Sequence, residues 1–258
     1  MRTSLRRALG PVAALGLLAA LAVPVSAAEE TFVRVVHASP DAQNVDVWVD
    51  GTKVLTDVPY TAVSDYLPVT AGDHNVQVTA TGSTDPVIEA DLTLEAGTSY
   101  TVAATGMLAD ITATVLVDDR TPASGQAKLR VFHASPSAPS PVDVAVTGGP
   151  VLVEGLPYGE ATDYLTVDPA EYALEIRAAG DSDAALALTA SLVAGENYTA
   201  IAMDGGDAGV QVIVATEAHT VPDTAMEQPT PSPLFLLGGV LLMLAATRLV
   251  LSARAVRA

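Results

Sequence analysis

Val45-Asp46-Val47-Trp48-Val49-Asp50-Gly51 decides the fold, because every second residue is a valine and the closing Asp50-Gly51 pair is a favoured hairpin tip. The period of two continues in Val76 and Val78, in Ile88, Ala90, Leu92 and Leu94, and in Tyr100, Val102 and Ala104. Ile111, Ala113, Val115 and Val117 extend it. Turn formers separate these runs: Ser39-Pro40-Asp41, Ala71-Gly72-Asp73, Gly82-Ser83 and Ala96-Gly97. Such alternation predicts half-buried antiparallel strands with one dry and one wet face. No segment keeps helical spacing, and about eight short strands fit the region, which predicts a β-sandwich of immunoglobulin-like size. Leu94-x-Ala96-Gly97-x-x-Tyr100 adds a tyrosine just after a corner, placed for its hydroxyl to bond backbone across the turn.

The whole unit occurs twice. Arg34-Val35-Val36-His37-Ala38-Ser39-Pro40 returns as Arg130-Val131-Phe132-His133-Ala134-Ser135-Pro136, and Asp65-Tyr66-Leu67 returns as Asp163-Tyr164-Leu165. Pro59-Tyr60 matches Pro157-Tyr158, and the corner tyrosine recurs as Tyr198. A period this long indicates tandem globular domains, not a solenoid. The boundaries read as a first sandwich over residues 29–118, a linker over 119–127 and a second sandwich over 128–217. Extended, that linker reaches no further than ~30 Å, so the domains are expected nearly end to end.

Both termini read as targeting segments. Arg2, Arg6 and Arg7 precede an apolar stretch and the small residues Val25-Ser26-Ala27-Ala28, the pattern of a signal peptide over residues 1–28. Residues 218–233 contain Pro222, Pro229, Pro231 and Pro233 and read as an extended stalk. Residues 234–251 are apolar enough for a transmembrane helix, and the basic tail 252–258 places the C-terminus in the cytoplasm. The expected location is the outer face of the cell membrane, single-pass. The alternative is covalent attachment to a cell wall, since Val221-Pro222-Asp223-Thr224-Ala225 is similar to a sortase sorting signal that would be cut between Thr224 and Ala225.

Charge narrows the partners. The chain of 258 residues has 12 basic and 30 acidic side chains, a net charge of -18. Six of the basic residues lie in the terminal segments, leaving six against all 30 acids between them, a net charge of -24. A surface of that sign excludes a nucleic-acid partner. With no cysteine there is no disulfide, thiolate metal site or cysteine nucleophile. The expected partners are the membrane, through the C-terminal helix, and an envelope or neighbouring-cell protein or glycan.

Arg34 to Ala42, with Val45 to Gly51, Pro59-Tyr60 and Asp65-Tyr66-Leu67, resembles the family called domain of unknown function 4397. The second copy matches less closely: it has no acid at the position of Asp41, and Thr147-Gly148-Gly149 replaces the Asp-Gly hairpin. The resemblance implies an exported, surface-anchored protein with tandem domains. It implies no activity.

Few residues invite chemistry. His37 and Ser39, repeated as His133 and Ser135, share a strand face, but a nucleophile needs an oriented base in a pocket, and a histidine before Ser-Pro more often fixes the turn. Oxygen ligands suit Ca²⁺, with Asp41, Asp46 and Asp50 as candidates in the first copy and Asp181, Asp183, Asp204 and Asp207 in the second. Trp48 is the single tryptophan and falls opposite the valines of its strand, a candidate for ligand contact with His37 and His133; its counterpart is Ala145. Asn197-Tyr198-Thr199 satisfies a glycosylation sequon at a strand start. The sequence therefore predicts a non-catalytic cell-surface display, spacer or adhesion protein without a cofactor. The alternative is an extracellular small-ligand or Ca²⁺ binding module, and a hydrolase using His37 or His133 comes third.

Overall fold

A computed structural model describes residues 30–206 and 209–217. The expected signal peptide, stalk, membrane helix and tail, with Thr224 and Ala225, lie outside the described residues. Among the described residues no helix is long and apolar enough to cross a membrane. The described residues are all-β, built from four four-stranded sheets.

The first half forms two of them. The inner sheet has the order β4 (Leu67–Val69), β1 (Thr31–Ala38), β7 (Ser99–Thr105) and β8 (Thr112–Asp118). The outer sheet has the order β3 (Thr52–Val58), β2 (Val45–Val49), β5 (Gly72–Ala80) and β6 (Pro86–Leu94). The second half repeats the scheme. Its inner sheet is β12 (Leu165–Val167), β9 (Ala127–His133), β15 (Asn197–Asp204) and β16 (Val210–Glu217). Its outer sheet is β11 (Val151–Leu156), β10 (Val142–Val146), β13 (Ala170–Ala178) and β14 (Ala184–Leu192). The sheets are mostly antiparallel, but β1 runs parallel to β7, and β9 parallel to β15.

Local chemistry explains the corners. Asp50 and Gly51 both have positive φ, 50° and 74°, the geometry of a two-residue hairpin whose twist matches its strands. The corner tyrosines act as their spacing predicts: Tyr100 accepts the Glu95 N–H at 3.0 Å, and Tyr198 the Val193 N–H at 3.1 Å.

The end-to-end arrangement is overturned: the two halves pack face to face through their inner sheets. Val35, on one face of β1, packs with Val47 and Val76 inside the first sandwich. Val36 and Ala38, on the other face, join Ala103, Phe132, Ile201 and Met203 in a cluster drawn from both halves. Every residue of β7 and β15 is buried, so the middle of each inner sheet has no wet face, and exposure returns at its edge strands, as at Val117 of β8 and Val214 of β16. The reason is legible in the side chains. Apart from a few buried polar residues, chiefly Arg34, His37, Arg130 and His133, positions on both faces of β1, β7, β9 and β15 are apolar or small, so each inner sheet has a second dry face that only another sheet can cover.

Candidate functional site

Two features stand out. The first is a cluster of charges in the middle of the contact between the halves. Arg34 and Arg130 are repeat equivalents on β1 and β9, both buried, and each reaches the acid that closes the other half's last strand. Arg34 Nη2 donates to Glu217 Oε1 at 2.7 Å, and Arg130 Nη2 to Asp118 Oδ1 at 2.6 Å. Each guanidinium also meets the threonine of its own parallel partner strand, Arg34 Nε to Thr101 at 2.9 Å and Arg130 Nε to Thr199 at 3.2 Å. Those hydroxyls donate onward, Thr101 to Asp118 at 2.6 Å and Thr199 to Glu217 at 2.5 Å.

The landmark tyrosines complete the cluster. Tyr66 stacks on Arg34 at 5.0 Å and Tyr164 on Arg130 at 4.7 Å. The Tyr66 hydroxyl lies within hydrogen-bond range of both Asp118 and Glu217, and Tyr164 donates to Glu217 at 3.2 Å. Burial, with the neighbouring carboxylates, pushes both phenols well above their ordinary value. Burial lowers the Arg34 pKa, but Glu217, Tyr66 and Asp118 outweigh it and hold the guanidinium charged. At one end of the contact Tyr60 donates to the Asp204 carbonyl at 2.7 Å, another bond between the halves. Buried charges this well partnered fix relative position, because any slip strands an ion away from water.

The second feature is an apolar cleft of about 460 Å³ between the two sheets of the first half. Its walls are valine and leucine from both sheets, including Val33, Val47, Val76 and Leu92. Held dry, space of that size would cost on the order of 10 kcal/mol at ~24 cal/mol per Å³. That rivals the ~5–15 kcal/mol net stability of a whole domain. Polar groups gather at the rim: Asp50, Thr70 and His74. His74 Nδ1 faces Asp50 Oδ2 at 2.7 Å, and its Nε2 faces the Thr70 carbonyl at 2.8 Å. Both partners accept, which favours the form of the ring that carries both protons. The Asp50 hydrogen bond leads the causes that raise the His74 pKa, and the same contact, with the Asn75 N–H, lowers that of Asp50.

The second half provides an internal comparison. There, Leu152, Leu188 and Val212 each pack against both clusters of the core. By strand register their counterparts in the first half are Val54, Ala90 and Ala113. All three are smaller, and in the first half Leu55 is the side chain shared by the two clusters. Three other positions run the opposite way: Leu55, Leu92 and Val102 become Val153, Ala190 and Ala200.

The residues singled out from sequence are dispersed. His37 and His133 are fully buried, with Nε2 donating to the Gln43 carbonyl at 3.0 Å and the Pro139 carbonyl at 3.2 Å. Their rings meet Tyr60 and Tyr158 edge to face, and burial lowers both pKa values. The Ser39 backbone N–H, not its hydroxyl, lies 3.4 Å from His37 Nδ1. Asp46 corrects the expectation of a wet strand face: it is buried, pairs with Lys53 at 2.5 Å and accepts the Asp57 N–H at 2.9 Å. Its repeat equivalent, Asp143, takes the N–H groups of Gly155 and Gly180. Asp41 accepts the Leu108 N–H at 2.7 Å, while Asp50 sits at the other end of β2 from Asp46, about 13 Å along a strand. These three aspartates therefore do not converge. Among the described residues no group of three or more His, Asp or Glu side chains is placed to hold a metal ion.

Trp48 lies half-buried on the outer face of β2, its Nε1 donating to Thr79 at 3.1 Å and Lys53 resting 4.7 Å from its ring. Asn197 is buried and donates to the Asp119 and Thr121 carbonyls at 2.7 and 2.9 Å, so the sequon is closed in the folded protein. Sequence reasoning missed the charge cluster and the cleft. The signal for the first was present, since an arginine recurs at the same place inside both apolar runs. The cleft had none, because alternation says which side chains face inward and not whether their bulk fills the space between the sheets.

The family described as a domain of unknown function, DUF4397, matches this chain over residues 31–145 and again over 140–226. A comparison with curated proteins found no match.

Proposed function

Since the chain belongs to the DUF4397 family, which matches it twice in tandem, we propose that it is an exported, non-catalytic display and spacer module. In this reading two immunoglobulin-like sandwiches act as one stiff body, carried outside the cell on a proline-rich stalk and a membrane helix. The observation that carries it is the reciprocal burial of Arg34 with Glu217 and Arg130 with Asp118. A linker alone would leave the domains free to swing, whereas crossed buried ion pairs favour a single relative orientation. Use of cations supports the same reading. Of the six basic residues between the terminal segments, Arg34, Lys53, Lys128 and Arg130 are engaged in ion pairs with the protein's own acids. The outward surface is left strongly acidic, which favours solubility and keeps neighbouring copies apart. Protease shaving of intact cells tests the proposal: peptides from both sandwiches should be released without lysis, and none from residues 252–258. Release of sandwich peptides only after lysis would refute it.

A further inference from the structure

We propose that the cleft of the first sandwich is a binding site for a small amphipath with a hydrocarbon body and a hydrogen-bond-donating head, an alcohol or an amine. This inference is independent of the display function. Its volume, about 460 Å³, falls within the ~300–1,000 Å³ typical of small-molecule sites. The walls offer van der Waals contact and almost no hydrogen bonds, so they suit an alkyl or branched hydrocarbon body and suit water poorly. The rim selects the head. Both N–H groups of His74 are occupied, by Asp50 and the Thr70 carbonyl, so the histidine has no donor left for an incoming anion. Asp50 is the available group. Its side chain is 55 % exposed, and a carboxylate accepting from His74 and Asn75 still has lone pairs for another donor. A carboxylate head would meet that charge, and the acidic surface beyond it, with repulsion.

The duplication allows the arrangement of bulk and polar groups to be compared within one chain. The same fold, in the same chain, packs Leu152, Leu188 and Val212 across its second core and has the smaller Val153, Ala190 and Ala200 where the first half has Leu55, Leu92 and Val102. The first half has Val54, Ala90 and Ala113 in place of Leu152, Leu188 and Val212 and places an Asp–His pair at the rim. In the second half His74 is replaced by Tyr172, whose hydroxyl donates to its own loop, to the Asp168 carbonyl at 2.8 Å. The placement of bulk in the core and the polar groups of the rim thus differ together between the copies.

The test is a titration of the purified full chain, methyl-labelled at Ile, Leu and Val, with 1-octanol, octylamine and octanoate. Octanol and octylamine should give saturable shifts at the methyls of Val33, Val76 and Leu92, and none of that size at Leu152 or Leu188. Octanoate should bind at least about tenfold more weakly, a gap that Asp50→Asn narrows. Val54→Leu with Ala113→Val, two lining positions given the larger side chains of the second half, should abolish the saturable shifts without lowering the melting temperature. Should that variant melt lower, the wild-type titration decides alone. Non-saturable shifts, equal shifts in both halves, octanoate binding as well as octanol, or a well-folded filled variant that still binds would each overturn the proposal.

Discussion

Replacing Arg34 by Met removes the guanidinium and keeps much of the side-chain bulk. The variant loses the bonds to Glu217 and Thr101 and the stacking on Tyr66, and leaves Glu217 with no exposed side-chain surface and without its nearest cation. Breaking a buried pair from one side costs about 3–5 kcal/mol. Glu217 keeps bonds from Thr199, Tyr66 and Tyr164, and Arg130 stands 3.8 Å away, so the lower end, about 3 kcal/mol, is expected. At a urea slope of about 2–3 kcal/mol per molar, the midpoint should fall by about 1–1.5 M. Trp48 fluorescence reports the first sandwich and circular dichroism reports both, and the two curves should move together because the contact is shared. Adding Glu217→Gln to Arg34→Met removes the stranded charge and should recover about 1–2 kcal/mol. A loss below about 1 kcal/mol, or a double variant worse than Arg34→Met by the full cost of a second broken bond, would refute the reasoning.

Two further perturbations follow from the same geometry. The His74 pKa is raised in the folded state, so its contribution is complete below about 6.5 and fades as pH climbs through the folded value, whereas the lowered Asp50 contributes above about 3.8 and fades in stronger acid. The stability difference between wild type and Asp50→Asn should therefore be greatest between those limits, and proton NMR should show the His74 titration moving down toward its ordinary value in the variant. At Gly106 a Cβ would stand 2.9 Å from the Asp110 carbonyl oxygen with φ at +93°, while at Gly82 it would meet nothing within 4 Å at φ +82°. Thermal melts should show Gly106→Ala losing about 2–3 kcal/mol and Gly82→Ala about 1 kcal/mol.

Much of each sandwich was legible because period two is a local signal. Val45, Val47 and Val49 point into the core as the alternation requires, and the Asp50-Gly51 hairpin and both corner tyrosines lie where their spacing places them. The packing of one half on the other was not read, for a physical reason. A residue such as Val36 or Ala103 is apolar on a face that alternation assigns to solvent, and sequence does not say whether its cover is a neighbouring sheet or nothing. Arg34 obscured this further, since a charge inside a strand reads as a wet face until a buried partner, Glu217, is found 183 residues away. Asp46 misled in the same way: its acid suggested exposure, but it serves the backbone N–H of Asp57 under the hairpin.

Contact between the inner sheets is the claim on which the rest stands, and methyl NOE spectroscopy of the full chain measures it directly. Cross-peaks should join Val36 and Ala103 of the first half to Ile201 and Met203 of the second, within the cluster they form with Phe132. Spectra in which those methyls show contacts only within their own half would contradict the account.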